Sequence, residues 1–553
     1  MENTMTTRLS RAEHLEAVAW GLILAAITSL PYLLGYLATP PDRYFLGFVL
    51  NPGDQNTYFM WMNQAASGDI LLRNLYTSIE HGGAMFNLFF LLGGALARLV
   101  GSLDLAYQTL RILAVLLLSW SLWLFVATFA GERRQRRWLF LLCILGAGLG
   151  WAWNVGRWFT GDYGGIVTDT DILQRPFDLW VPEGYVFYSI LVMPHFTAAI
   201  ALLLLTVRWA ALGMRDDRIG LTIGAGIMCA ALSFVHPYDV LVALALSGSV
   251  AGLHSLRQWR LDLTVWRHPL LLAAISAGPI LYNYWILHAN PGMAAWLIQN
   301  KSVSPSPLSY LVGYGLLLLG AIAFLVQRRS RLGRDLEAWQ WLAAWLLVLP
   351  VALYAPIDFQ RRLVIGASVP MALATGLWLW QWGQARTWWT RSGAQAALLV
   401  GVLLLVAPTS AFHWLNSFRK VMDHDGELFV DRSTVDALVW LGKETTAGSG
   451  TVLASFATGN YVPRFSGFTT VIGSRGQTGD FDRVLAETEA FYGNQMTDAE
   501  MGSWLERHRV AWVLIGPSER EGERAKIAER LSNLGLTSRY QSPDGRVTLY
   551  GRL

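Results

Sequence analysis

Charge is what this sequence has least of. Asp, Glu, Lys and Arg make up 15% of its 553 residues, against about 25% in a typical soluble domain. A chain so poor in charge cannot cover its apolar surface with water-facing groups. That excludes a string of soluble domains, which a length prior of about 100–200 residues per domain would otherwise suggest. Cysteine is nearly absent. Cys143 and Cys229 both lie inside apolar runs, which excludes a disulfide scaffold and leaves no zinc cluster of the Cys/His kind. There is no Walker loop, no GxSxG elbow and no HExxH, and nothing suggests nucleic-acid binding. The glycines of GSRGQTGD (Gly473, Gly476, Gly479) read better as turn residues than as a dinucleotide fingerprint.

What is present is hydrophobic. Apolar residues reach 53%, with 26 Trp, and the 52 Gly and 20 Pro are scattered through apolar runs instead of gathering into linkers. The solvent of this chain is largely lipid. A bilayer core about 30 Å thick needs about 20 apolar residues in a helix, because each backbone amide must be satisfied within its own segment. That ruler predicts eleven spans, near 16–38, 106–130, 137–157, 186–211, 219–236, 238–255, 269–289, 307–327, 338–354, 362–383 and 395–413. Residues 84–103 are a twelfth apolar stretch, but they carry Asn87, three glycines and Arg98.

Arginine placement decides what that stretch is, since cytoplasmic loops collect Lys and Arg. If 84–103 does not cross, one side holds Arg8, Arg11, the four arginines of 133–137, Arg215, Arg218, Arg257, Arg260, Arg267, Arg328, Arg329, Arg331, Arg334, Arg386 and Arg391. The other side keeps Arg43, Arg73, Arg157, Arg175, Lys301, Arg361 and Arg362. A full crossing at 84–103 would send most of the first group outside while the amino terminus stayed in. The sequence therefore predicts an α-helical polytopic membrane protein with an amino terminus in the cytoplasm, about eleven spans and an interfacial or re-entrant helix at 84–103. Residues 1–413 form its transmembrane domain, with a large first outer loop at 40–105. After 414 charge density rises and periods shorten. TVLASF, TTVIGS and VAWVLIG read as strands between helical patterns, and RYQSPDGRVTLYGRL as a hairpin. Residues 414–553 are expected to be a soluble extracytoplasmic α/β domain.

Chemistry should then lie on the outer face. The first outer loop supplies Asp54, Tyr58, Tyr76, Glu80 and His81. Asp54 follows Pro-Gly at a helix start, where an Asp is equally an N-cap or a reactive carboxylate. The second outer loop carries Asp162, Asp169 and Asp171; such hard oxygen ligands suit a divalent ion, Mg or Mn, although a solvated acidic loop explains them too. His195 lies two to three turns into its expected span, and His236 and Asp239 bracket a tight turn. Polar groups at that depth are costly, which raises their functional weight. Arg361 and Arg362 open a span on the outer side, where a guanidinium fork matches a phosphate or a lipid headgroup.

Taken together, one span, a large outer loop with an acidic residue just past the membrane, many further spans and an outer domain resemble the GT-C class of integral-membrane glycosyltransferases. That class includes protein O-mannosyltransferases and aminoarabinose transferases of lipid A modification. The resemblance is concentrated in GDQNTYFMWMNQAASGDILLRNLYTS and GALARLVGSLDLAYQTLRIL. On that match Asp54 stands where the class has its catalytic acid, and Arg111 where an arginine opens the second span. Gln55 departs from the Asp-Glu pair of many members. The resemblance implies transfer of a sugar from a polyprenyl-phosphate-linked donor to an extracytoplasmic acceptor, in a bacterial cytoplasmic (inner) membrane, with membrane lipid as a partner. The substrate-binding candidates are Tyr58, Tyr76, Glu80, His81, Arg111, His195, His236, Asp239, Arg361 and Arg362. A transporter or flippase would need paired halves with broken mid-membrane helices, and no internal repeat is visible. A non-catalytic assembly protein is the other competing reading.

Overall fold

The computed structural model describes residues 9–159, 175–391, 393–444, 450–519 and 524–552. Among them the chain is mostly helical, and seven helices are long and apolar enough to cross a bilayer. Two bent pairs, Arg133–Leu145 with Gly150–Phe159 and Ala394–Val406 with Pro408–Met422, bring the number to nine if each pair is one span. The chain is an integral membrane protein. The segments expected as spans at 219–236 and 338–354 form Ile219–Ser233 and Ala338–Leu353, helices of 15 and 16 residues. At 1.5 Å per residue these are about 22–24 Å long, shorter than a hydrocarbon core. The stretch at 84–103 forms Leu88–Val100, a 13-residue helix capped by the Asn87 side chain, which accepts from the amides of Phe89 and Phe90.

The contacts divide the chain into two compact units. One comprises 1–30, 110–281 and 302–417. It is a helical body built around large buried side chains such as Trp123, Trp341 and Trp345. Its helices break where the sequence breaks them. Pro194 pushes Met193 out of helical geometry, with φ −133°, so the single span expected at 186–211 becomes Val186–Val192 and Pro194–Asp216. Helix Pro307–Arg328 is interrupted at Gly315, with φ 45° and ψ −120°. Backbone groups freed by such breaks must find partners in an apolar surround. Leu149 N donates to Val312 O at 2.9 Å, and the Tyr185 hydroxyl donates to Gly313 O at 2.5 Å. Opposite, the break between Leu145 and Gly150 is held by Asp178, whose Oδ2 accepts from Gly148 N at 3.1 Å and Gly150 N at 3.0 Å.

The other unit comprises 31–109, 282–301 and 418–553. Strands β1 (Arg43–Phe45) and β2 (Phe429–Asp431) pair antiparallel, Tyr44 opposite Val430. A five-stranded sheet is ordered β4-β3-β5-β7-β6, where β3 is Thr451–Leu453, β4 Thr469–Thr470, β5 Val510–Ile515, β6 Leu536–Gln541 and β7 Thr548–Arg552. β4, β3 and β5 run parallel, while β7 is antiparallel to both β5 and β6. The period of two along a strand sorts its residues between two cores. Leu453, Val513 and Ile515 pack with Phe481, Phe491 and Trp504, while Val452, Trp512 and Leu514 pack with Leu438, Leu441 and Phe468. Burial on both faces is why VAWVLI reads as an unbroken apolar run.

Candidate functional site

The candidate acid sits at the start of helix Pro52–Ser67. Asn51 holds the N-cap position in the left-handed region, φ 55°, and Pro52 and Gly53 follow it. Asp54 is therefore the third residue of the helix and not its cap. It stands in the first turn, where the helix dipole favours an anion. Asp54 is exposed, and its Oδ2 accepts from Asn51 Nδ2 at 2.7 Å. The next three residues are polar and buried: Gln55 and Asn56 are fully inaccessible and Thr57 is 2% exposed. Gln55 Oε1 accepts the Tyr107 hydroxyl at 2.7 Å. Asn56 Nδ2 donates to Asn460 Oδ1 at 2.7 Å, and Asn56 Oδ1 accepts from Arg464 Nη1 at 3.0 Å. The residue that stands where many GT-C members have a second carboxylate thus turns inward, and Asp54 alone of the four faces solvent.

The other first-loop candidates have varied settings. Tyr58 is half-buried and stacks on Phe90, with ring centroids 5.3 Å apart. Tyr76 is fully buried, and its hydroxyl donates to Asn460 O at 2.6 Å. Burial, with the Asp54 charge in reach, raises the phenol's pKa and keeps it a neutral donor. Glu80 is exposed and pairs with Arg509 Nη1 at 2.5 Å. His81 closes a turn: Nδ1 donates to Ile79 O at 2.8 Å and Nε2 accepts from Asn74 N at 3.1 Å. Burial depresses its pKa and so favours the neutral ring that this pair of bonds requires.

In the helical unit, Arg111 is buried and joins its helix to the first one, Nη1 donating to Thr28 Oγ1 at 3.2 Å and Nη2 to Ser29 Oγ at 2.6 Å. His195, His236 and Asp239 do come together. His236 Nδ1 is 2.9 Å from Asp239 Oδ2, an ion-pair distance. The His195 and His236 rings are 6.4 Å apart. The break at Met193 makes His195 the second residue of its helix, so it is not two to three turns inside a span. The charges of Glu183 and Arg362 both reach Asp239. Arg362 Nε donates to Ser302 Oγ at 3.0 Å, and the neighbouring Arg361 guanidinium lies 4.8 Å over the Trp180 ring. Arg362 is therefore within reach of the Asp239 carboxylate of its own unit, while Arg361 is laid against an aromatic face.

The expected metal ligands Asp162, Asp169 and Asp171 lie outside the described residues. Among the described residues no group of three His, Cys, Asp or Glu side chains could hold a metal ion. Asn460 and Arg464 carried no signal in the sequence, because they lie about four hundred positions from the residues they bind.

No protein-family model and no curated protein sequence matches this chain. Solved structures do match. The apo oligosaccharyltransferase of Archaeoglobus fulgidus superimposes with a TM-score of 0.52 at 14% identity, covering 98% of this chain and 75% of that one. The same enzyme tethered to an acceptor peptide containing the NVT sequon gives 0.51 at 14%, covering 98% and 74%. ArnT from Cupriavidus metallidurans bound to undecaprenyl phosphate gives 0.50 at 13% identity, covering 97% of this chain and 98% of that one. The chain has the fold of the GT-C glycosyltransferases.

Proposed function

We propose that this protein transfers a sugar from a polyprenyl-phosphate-linked donor to an acceptor on the extracytoplasmic face of a bacterial cytoplasmic membrane. The observation that carries this reading is Asp54, an exposed carboxylate on a helix start whose following three residues are buried and bonded, in a chain with this fold. Asp54 acts as general base. It takes the proton of an acceptor hydroxyl as that oxygen bonds to the anomeric carbon, the bond from that carbon to the phosphate oxygen breaks, and polyprenyl phosphate leaves with the electron pair. A base of this kind contributes about 10²–10⁴-fold. Within the helical unit, Arg361 is assigned as a contact for the lipid phosphate: its guanidinium lies over the Trp180 ring and matches phosphate oxygens. The fold's likeness to ArnT, a structure solved with undecaprenyl phosphate, supports a lipid-linked donor. Asp162, Asp169 and Asp171 of the acidic second loop are assigned to a divalent ion. Among the described residues no group of three His, Cys, Asp or Glu side chains by itself makes a metal centre.

The test is donor class. The purified full-length protein, reconstituted with undecaprenyl-phosphate-linked sugars, is expected to release undecaprenyl phosphate in the presence of an outer-membrane or cell-wall acceptor extract. Turnover of nucleotide sugars instead, or of neither, would reject the proposal.

A further inference from the structure

The first turn of helix Pro52–Ser67 is bolted from one place. Asn460 lies between the short helices Phe456–Gly459 and Val462–Ser466. Its Oδ1 accepts from Asn56 Nδ2 at 2.7 Å, its Nδ2 donates to Gly473 O at 2.7 Å and, more distantly, to Gly53 O at 3.4 Å, and its own carbonyl accepts the Tyr76 hydroxyl at 2.6 Å. Arg464, 2% exposed, follows one turn later. Its Nη1 donates to Asn56 Oδ1 at 3.0 Å and its Nη2 to Asp104 Oδ1 at 2.6 Å, and its guanidinium lies 3.7 Å over the Phe59 ring. The second oxygen of Asp104 accepts the Tyr44 hydroxyl at 2.6 Å. Both ends of the Asn56 amide and the carbonyl just before Asp54 are therefore held by two side chains from the carboxy-terminal part of the sequence. Buried polar groups bonded this fully are rigid, because any movement leaves one of them without a partner.

We infer that Asn460 and Arg464 are positioning residues for Asp54: they fix the direction of its carboxylate without touching substrate. A base that wanders by about 1 Å loses on the order of 10²-fold. The inference rests on the proposed role of Asp54, and two separate readouts keep the two apart. The first needs no activity: a nitroxide on Asp54→Cys of the full-length protein, Cys143 and Cys229 being buried. The second is steady-state turnover of an undecaprenyl-phosphate-linked sugar by the otherwise wild-type chain.

Arg464→Ala and the isosteric Asn460→Asp, which keeps the acceptor and loses the donor, are expected to add a mobile component to the nitroxide spectrum. They should lower kcat at least tenfold while donor KM stays within twofold, and Arg464→Lys should restore part of kcat. Arg530→Ala, which removes a polar contact to Met496 and Asp498 elsewhere in the same unit, serves as the control for general loosening and should leave the spectrum unchanged. An unchanged spectrum in folded Asn460→Asp and Arg464→Ala overturns the inference, as does equal mobility in Arg530→Ala. A loosened label with undiminished kcat overturns instead the assignment of Asp54 as the base.

Discussion

Asp54 differs from the three residues after it in having water around its side chain, and that contrast is invisible in DQNT read as letters. All four are polar, and only tertiary partners separate a solvent-facing acid from Gln55, Asn56 and Thr57. The sequence did mark the position of the acid, through Pro-Gly before it and the match to the GT-C first loop. It could not say that Asn51 and not Asp54 is the cap, because both residue types cap helices equally well. His81 shows the opposite case, a candidate binding residue whose two nitrogens are already engaged by Ile79 and Asn74. Its folded-state pKa is depressed by burial. The unfolded chain thus takes up the proton first as pH falls, and the stability His81 supplies is full above about pH 6.5 and lost below it. His81→Asn is expected to lower stability by about 1–3 kcal/mol near pH 8, measured by thermal unfolding in detergent. The gap to wild type should narrow toward pH 5; a gap constant across that range would contradict this account.

Among the elements, the strands of the five-stranded sheet were legible, whereas β1 and β2, three residues each, were not. TVL and VAWVLI are buried on both faces, so their apolar runs carried the signal directly. Helix interruptions were hidden: 186–211 reads as one span although Pro194 breaks it, and Pro307–Arg328 breaks at Gly315, since proline and glycine both occur inside other spans without breaking them. Glycine has another role in the helix pair that carries Asp54. A Cβ on Gly94 of Leu88–Val100 would come within 2.3 Å of Ala65 Cβ and 2.6 Å of the Ala66 amide nitrogen. The close approach of Leu88–Val100 to Pro52–Ser67 therefore requires a residue without a side chain. Gly94→Ala is expected to cost about 1–3 kcal/mol through overpacking. Gly248→Ala, in mid-helix with nothing within 4 Å of its Cβ, should raise stability by up to about 1 kcal/mol. Differential scanning of the two variants distinguishes them by sign, and stabilisation at both positions would contradict the tight helix contact.

At the scale of the whole chain, what the sequence order concealed is which segments fold together. Residues 31–109, 282–301 and 418–553 form one compact unit although hundreds of positions separate them, and no composition shift announces that 282–301 belongs with the carboxy-terminal sheet. The arginine distribution, by contrast, is a long-range pattern readable without structure, and it predicts a side for every loop. A membrane-impermeant maleimide should label Asp54→Cys in intact spheroplasts and leave a cysteine at Arg134 unlabelled until the membrane is opened. The reverse pattern would invert the topology and remove Asp54 from the extracytoplasmic face.

The most direct measurement compares wild type with Asp54→Asn, both full-length and reconstituted, for binding of undecaprenyl phosphate and for release of that lipid from its sugar-linked form. The account predicts binding within about threefold of wild type and release slowed by at least about 10²-fold, the range lost with a general base. Undiminished release by Asp54→Asn, with binding intact, would contradict it.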